Sequence, residues 1–389
     1  MKQQQNFSTK LGIIPQGWHI KRLGEICTHF QSGTSITSKQ LKKNGQYPVY
    51  GGNGLRGYTD KYTHDGPYIL IGRQGALCGN INFVENKNFI SEHAIAVQSN
   101  ENMIWLKYKL EYWNLNRFSE SSAQPGLSVK KLARQKLTIP PLPEQQKIAE
   151  IISTWDKAIE KQSQLIEKLE LRKKGLMQQL LTAKKRLPGY SDSWKRIKYY
   201  NILTETHRSL KWDENELYDL ISVRRRSGGV FHRESLYGYE IKTKNLRPAL
   251  EGDFLISKMQ IVHGASGVVP KQLSGMKISG SYIALVAKDP QELNINYFNL
   301  WSQMPLFYRQ TFISSNGVHI EKMTFDLETF MSLSMDLPPI EEQNKIVTII
   351  SSACKDIELA KQKLELFRQQ KHGLMQQLLT GKKRVNINN

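Results

Sequence analysis

Residues 139–187 and 337–385 are two copies of one sequence. Aligned without a gap at an offset of 198, they are identical at 26 of 49 positions. Each copy opens on "PPLPEQQ" or "PPIEEQN" and closes on "GLMQQLLTAKKR" or "GLMQQLLTGKKR". An internal repeat governs every other reading of a chain. A period near 200 is too long for a solenoid. It implies two large units, each ending in the same element. The 389 residues leave room for two or three domains, and the repeat selects two similar halves.

The repeated element reads as a long helix. In the first copy Ile148, Ile152, Trp155, Ile159, Gln162, Ile166, Leu169, Lys173, Leu176 and Leu180 follow each other at steps of four and three. The second copy repeats the register with Ile346, Ile350, Ala353, Ile357, Ala360, Leu364, Phe367, Lys371, Leu374 and Leu378. Alternating steps of four and three make the seam of a coiled coil. The prolines and Glu144 or Glu342 suit a helix start, and the basic clusters at 184–186 and 382–384 suit its end. Some 40 helical residues would span about 60 Å. The narrow, duplicated stripe predicts that the copies pair with each other, against the plainer reading of one face of a compact core. The pseudo-twofold duplication favours an antiparallel pair. Lys173 and Lys371 sit on the seam, either fixing register or solvated where the ends splay.

The segments between the helices, 11–138 and 187–336, share texture rather than sequence. Both are rich in Gly, Ser, Asn and Tyr, and carry strand-like runs: "YPVYG", "PYILIG" and "NFISEHAIAV", then "GDFLIS", "GVVP" and "GSYIALVA". Residues 102–114 and 295–310 are expected to be helical. The expected fold class is α+β, two α/β globules alternating with two long helices. Its divisions are 1–138, 139–186, 187–336 and 337–389.

Net charge is +20, which points to a polyanionic partner, nucleic acid first. Cys27, Cys78 and Cys354 are scattered, so neither a disulfide framework nor a zinc site is expected. No apolar run approaches a membrane span and no apolar leader is seen, so a cytoplasmic protein without a membrane partner is expected. No phosphate-binding G-x-x-x-x-G-K-[ST] loop and no H-E-x-x-H is present. "DGPY" at 65–68 lacks the first proline of a motif that holds a flipped base. Neither a catalytic residue nor a metal ligand is therefore expected.

The globule–helix–globule–helix plan resembles the DNA-specificity subunit of type I restriction–modification systems over essentially the whole chain. The resemblance is carried by "IPPLPEQQKIAEIIS" and "LPPIEEQNKIVTIIS", with "YGGNGLRGYT", "ILIGRQGALCGNI" and "GDFLISKMQIVHGASGVV" similar to segments of that family's target-recognition domains. It implies a subunit with no catalytic centre and no cofactor of its own. Two domains would each read half of a split site in double-stranded DNA. Two antiparallel helices would hold them apart and dock two methyltransferase subunits, and through these the restriction and translocase subunits. S-adenosylmethionine, ATP and Mg²⁺ would belong to those partners. Pro143 departs from Glu341 of the second copy and does not disturb the resemblance.

Affinity for DNA comes mostly from cations on phosphate, and sequence choice from Arg, Asn and Gln on base edges. The candidates in the first globule are Asn53 and Arg56 in "GGNGLRGY", Arg73 and Gln74 between glycines, and Gln124, Lys130 and Lys131. In the second they are Arg224, Arg225 and Arg226 in "VRRRSGG", Lys258, Gln260 and His263 in "SKMQIVHG", and Asn316 and His319 in "SSNGVHIEK". The rival reading is a metal-dependent nuclease built on Asp219, Glu240 and Lys242.

Overall fold

The computed structural model describes residues 7–9, 12–75, 77–119 and 125–387. The chain divides into two compact units, Met1–Gln164 with Lys361–Asn389, and Leu165–Ala360. The two long helices are Leu142–Leu180 and Ile340–Leu378, 39 residues each, and each contributes one part to either unit. Pro143 is the second residue of its helix, where the missing N–H has no intrahelical partner to lose.

In each unit an early strand of the globule pairs with its last. His19–Arg22 runs antiparallel to Lys136–Ile139, and Lys195–Lys198 antiparallel to Ser334–Leu337. Inside this clasp the first globule has an antiparallel sheet in the order Cys27–Ser32, Ala94–Ser99, Tyr68–Gly72, Ile81–Val84. The second has Leu203–Glu205, Tyr282–Ala287, Phe254–Ser257, Ser266–Val268 in the same order. A further sheet follows the same plan in both. Gly54–Thr59 pairs with Tyr47–Gly51, which lies parallel to Phe89–Ile90. Val230–Tyr237 pairs with Leu217–Val223, which lies parallel to Lys277–Ser279, and Leu246–Pro248 adds one strand at the edge. One topology thus occurs twice under unrelated sequences.

The central strands are apolar on both faces because both are covered, and successive side chains point opposite ways. Ile69, Ile71, Ile95 and Val97 meet Trp105 and Leu106 of the helix Met103–Trp113, while Leu70, Ala94 and Ala96 turn to Ile90. In the second globule Phe254, Ile256, Ile283 and Leu285 meet Tyr297 and Phe298, while Leu255 and Ala284 face Ile221 and Val223. The helix expected over 295–310 is instead two, Ile295–Trp301 and Pro305–Ile313. Pro305 lacks the N–H needed to continue the first helix and takes the opening turn of the second.

The helices pair antiparallel within each unit. Ile148 and Ile152 share a core with Met375, Leu378 and Leu379 in the first. Met177, Leu180 and Leu181 share one with Ile346 and Ile350 in the second. Every seam position named above is buried or half-buried. Those cores also contain globule residues, so at its ends the seam serves both as coiled coil and as domain core. Lys371 is not solvated: its Nζ lies 2.6 Å from Asp156 Oδ1 and over the Tyr108 ring. The second copy has Cys354 at the place of Asp156, and Lys173 of the first copy is half-buried.

Candidate nucleic-acid interface

The frame that carries the interface is locked at matching points. Glu144 has no exposed surface, and both its oxygens take hydrogen bonds from Arg384, at 2.6 and 2.8 Å. Trp18 Nε1 donates to the same carboxylate at 3.0 Å, and the Arg384 guanidinium lies over the Trp18 ring. In the second unit Arg186 grips Glu342 at 3.0 and 2.9 Å, and Trp194 Nε1 adds a third bond at 3.1 Å. The basic clusters expected at the helix ends lie just beyond them, since the helices stop at Leu180 and Leu378, and the segment after one helix holds the acidic start of the other, twice. Beside each carboxylate a buried glutamine ties the globule on. Gln145 Oε1 accepts from Asn102 N and its amide donates to Pro140 O, while Gln343 repeats both bonds with Asn294 N and Pro338 O. Asn102 and Asn294 cap the following helices with their side chains. The "EQ" of each repeat is thus a structural socket.

On the first globule, Asn53 is exposed at the tip of the hairpin joining Tyr47–Gly51 to Gly54–Thr59. A Cβ on Gly52 would stand 2.7 Å from His93 O, and one on Gly72 would stand 2.7 Å from Gly52 O. These glycines are required because two loops touch backbone to backbone. The contact sets the hairpin beside the loop of Arg73 and Gln74. Arg73 N donates to His93 O at 2.9 Å, and Gln74 Oε1 lies 3.2 Å from His93 Nδ1. Arg56 folds back over its own hairpin, reaching Ser91 Oγ at 3.5 Å. Lys130 and Lys131 are exposed on the short helix Val129–Ala133, capped by Ser128. Their approach, Gly126–Leu127, runs beside Arg73 and Gln74. Gln124 lies outside the described residues.

On the second globule the three candidate segments converge. Arg224–Gly229 forms the hairpin tip after Leu217–Val223, with Arg226 and Ser227 in the left-handed region at φ 58° and 54°. Arg226 N and Ser227 N donate to His263 O and Gly264 O at 2.7 and 2.8 Å, fixing the hairpin on the "MQIVHG" loop. Arg225 Nε bonds Gln260 Oε1 at 2.6 Å, and its terminal nitrogen bonds Glu321 at 3.0 Å. Glu321 also lies 3.1 Å from His263 Nε2. Arg224 stacks on Phe231, 4.0 Å from its centroid. Lys258 N donates to Ser281 O, the counterpart of the Arg73–His93 bond, and Lys258 O accepts from Phe325 N. Asn316, in a strand paired with Thr324–Phe325, and His319 are exposed on the adjoining loop.

Residue-type reasoning missed His93, Glu321 and Tyr308. His93 and Glu321 meet the chosen residues only through tertiary pairing, and no local pattern marks them. Tyr308, whose Oη lies 2.8 Å from Ser227 Oγ, sits in an ordinary helix.

The nuclease constellation does not assemble. Glu240 and Lys242 line a cavity of about 260 Å³ with Leu220, and Asp219 is not on its wall. Neighbouring strand residues point to opposite faces. Asp219 Oδ1 instead accepts from Ser235 Oγ at 2.5 Å, and Glu240 caps a turn at Tyr237 N, 2.8 Å.

Residues 15–171 match the family model described as type I restriction modification DNA specificity domain. The chain is 40% identical over 142 residues to the type I restriction enzyme EcoprrI specificity subunit of Escherichia coli, a match spanning 35% of each chain. It is 25% identical over 433 residues to the putative type I restriction enzyme MjaX specificity subunit of Methanocaldococcus jannaschii, covering 98% of this chain and 97% of that one. Its fold is similar to that of the type I restriction-modification system S subunit from M. genitalium. That likeness has a TM-score of 0.60 at 12% identity, over 93% and 96% of the two chains. The HsdS subunit from Thermoanaerobacter tengcongensis matches with a TM-score of 0.51 at 15% identity, over 97% and 100%.

Proposed function

We propose that the chain is a specificity subunit of a type I restriction–modification system, a non-catalytic subunit that reads a split, asymmetric site in double-stranded DNA. Residues 1–138 and 187–336 act as the two readers, and 139–186 and 337–389 as the frame. The frame docks two methyltransferase subunits and, through the complex, the restriction and translocase subunits. S-adenosylmethionine, ATP and Mg²⁺ are bound by those partners. The complex works in the cytoplasm.

The observation that carries this reading is one topology bearing two sets of loop side chains. A two-residue tip with Asn53 occupies in the first globule the place that Arg224–Gly229 occupies in the second. Equal scaffolds with unequal tips suit two readers of unequal sequences, since base edges discriminate by side-chain pattern. The test exchanges residues 11–138 for the matching region of a relative and sequences the host methylome. One half-site is expected to change while the other is kept. A change in both, or in neither, overturns the reading. Co-purification is expected to yield two methyltransferase subunits per chain.

A further inference from the structure

We propose that Glu321 is a specificity-determining residue of the second reader: it withholds Arg225 from non-specific phosphate and surrenders it only to a C·G pair. This rests on the DNA-reading role proposed above. Glu321 lies 3.0 Å from the Arg225 guanidinium and 3.1 Å from the His263 ring, with Lys322 next in the chain. Arg225 is held from a second side by Gln260 at 2.6 Å. The side chains of Arg225 and Glu321 are 52% and 59% exposed. An ion pair so exposed contributes little to stability, so holding the fold together does not account for it.

On a surface that meets a polyanion, a carboxylate opposes binding. It repels phosphates and cancels a cation that would otherwise displace a counterion. What a carboxylate offers DNA is an acceptor for a base amino group. In the major groove cytosine presents its N4 amino donor beside the O6 and N7 acceptors of its guanine partner. Glu321 and Arg225 present an acceptor and a forked donor side by side, the complementary pattern. On non-specific DNA the pair stays closed on itself and Arg225 is lost to phosphate. On the right base pair each side chain exchanges its partner for a base edge, with no net loss of hydrogen bonds.

The test titrates the full chain with a mixed-sequence duplex and with a duplex selected from a random pool, across a salt series. Glu321→Gln is expected to bind the mixed-sequence duplex more tightly than wild type. Its salt dependence should steepen by about 0.9 in log–log slope, the increment for neutralising one more phosphate. Its preference for the selected duplex should fall roughly tenfold or more, and repeated selection should lose a C·G position. Arg225→Gln should weaken binding to the selected duplex far more than to the mixed-sequence one, from which Arg225 is withheld in wild type. If Glu321→Gln leaves mixed-sequence affinity and salt slope unchanged while wild type still prefers its selected duplex, the proposal fails and the DNA-reading role stands. If wild type prefers no duplex from the pool, the DNA-reading role itself fails and this proposal with it. Glu321 is exposed, and equal melting of variant and wild type confirms that folding is not what is measured.

Discussion

Arg384 closes on Glu144 with two hydrogen bonds across 240 residues, and the carboxylate it holds is sealed from water. Arg186 does the same for Glu342 across 156. In each unit the segment that follows one long helix is anchored to the beginning of the other.

Removing one partner should therefore cost far more than a surface ion pair. Arg384→Ala leaves the Glu144 carboxylate buried with the Trp18 indole as its remaining side-chain donor among the described residues, and should destabilise the first unit by about 3 kcal/mol. Arg384→Ala with Glu144→Gln should recover part of that loss, because no unpaired charge is left. Calorimetry on the two variants decides it, and a double variant no better than the single one refutes the account.

Lys109 is buried, donating from Nζ to Leu379 O at 2.6 Å and to Thr138 Oγ1 at 3.2 Å. Burial pushes its amine down from the ordinary 10.5 to about 8. Between those values the unfolded chain holds the proton and the folded chain has released it, so stability should rise with pH from about 8 to 10.5. Urea unfolding over that range should show the slope in wild type and not in Lys109→Met.

The rings of His29 and His64 meet edge to face at 5.4 Å, and both pack on Tyr68. Burial lowers both pKa values below the ordinary 6.5, and for His64 the charge on His29 lowers it further. The folded state then binds protons less readily than the unfolded one. The stability this pair contributes is present above pH 6.5 and lost as pH falls below it. His64→Phe should flatten the acid limb of a melting-temperature profile.

Gly264 sits at φ 74°, and a Cβ there would overlap the Tyr308 ring. Gly264→Ala should cost about 1–3 kcal/mol through the strained backbone and the displaced ring. It should also loosen the Arg225–Gly228 hairpin, which hangs on His263 O and Gly264 O. Hydrogen exchange at Arg226 and Ser227 should quicken, and Gly275→Ala, with open space around its Cβ, should leave those amides unchanged.

The long helices, their seam and their antiparallel pairing were legible in the sequence because they rest on local periodicity and a repetition that needs no gap. Ile148, Ile152, Ile346 and Ile350 are spaced by the helix itself, and that spacing already implies a buried stripe. The local sequence set Asn53, Arg73 and Gln74 beside glycines without saying what those glycines touch. The tertiary structure decided the rest. It showed that Glu144 and Gln145 are sockets for Arg384 and Asn102, since those partners lie 240 and 43 residues away. It showed that two globules with unlike sequences share one strand order, because a sheet asks for alternating burial and not for particular side chains. It drew Arg225, Gln260, His263 and Glu321 into one cluster by pairing a hairpin with two loops. Hydrogen bonds between distant backbone segments set that meeting, and nothing in the local run of residues encodes their register.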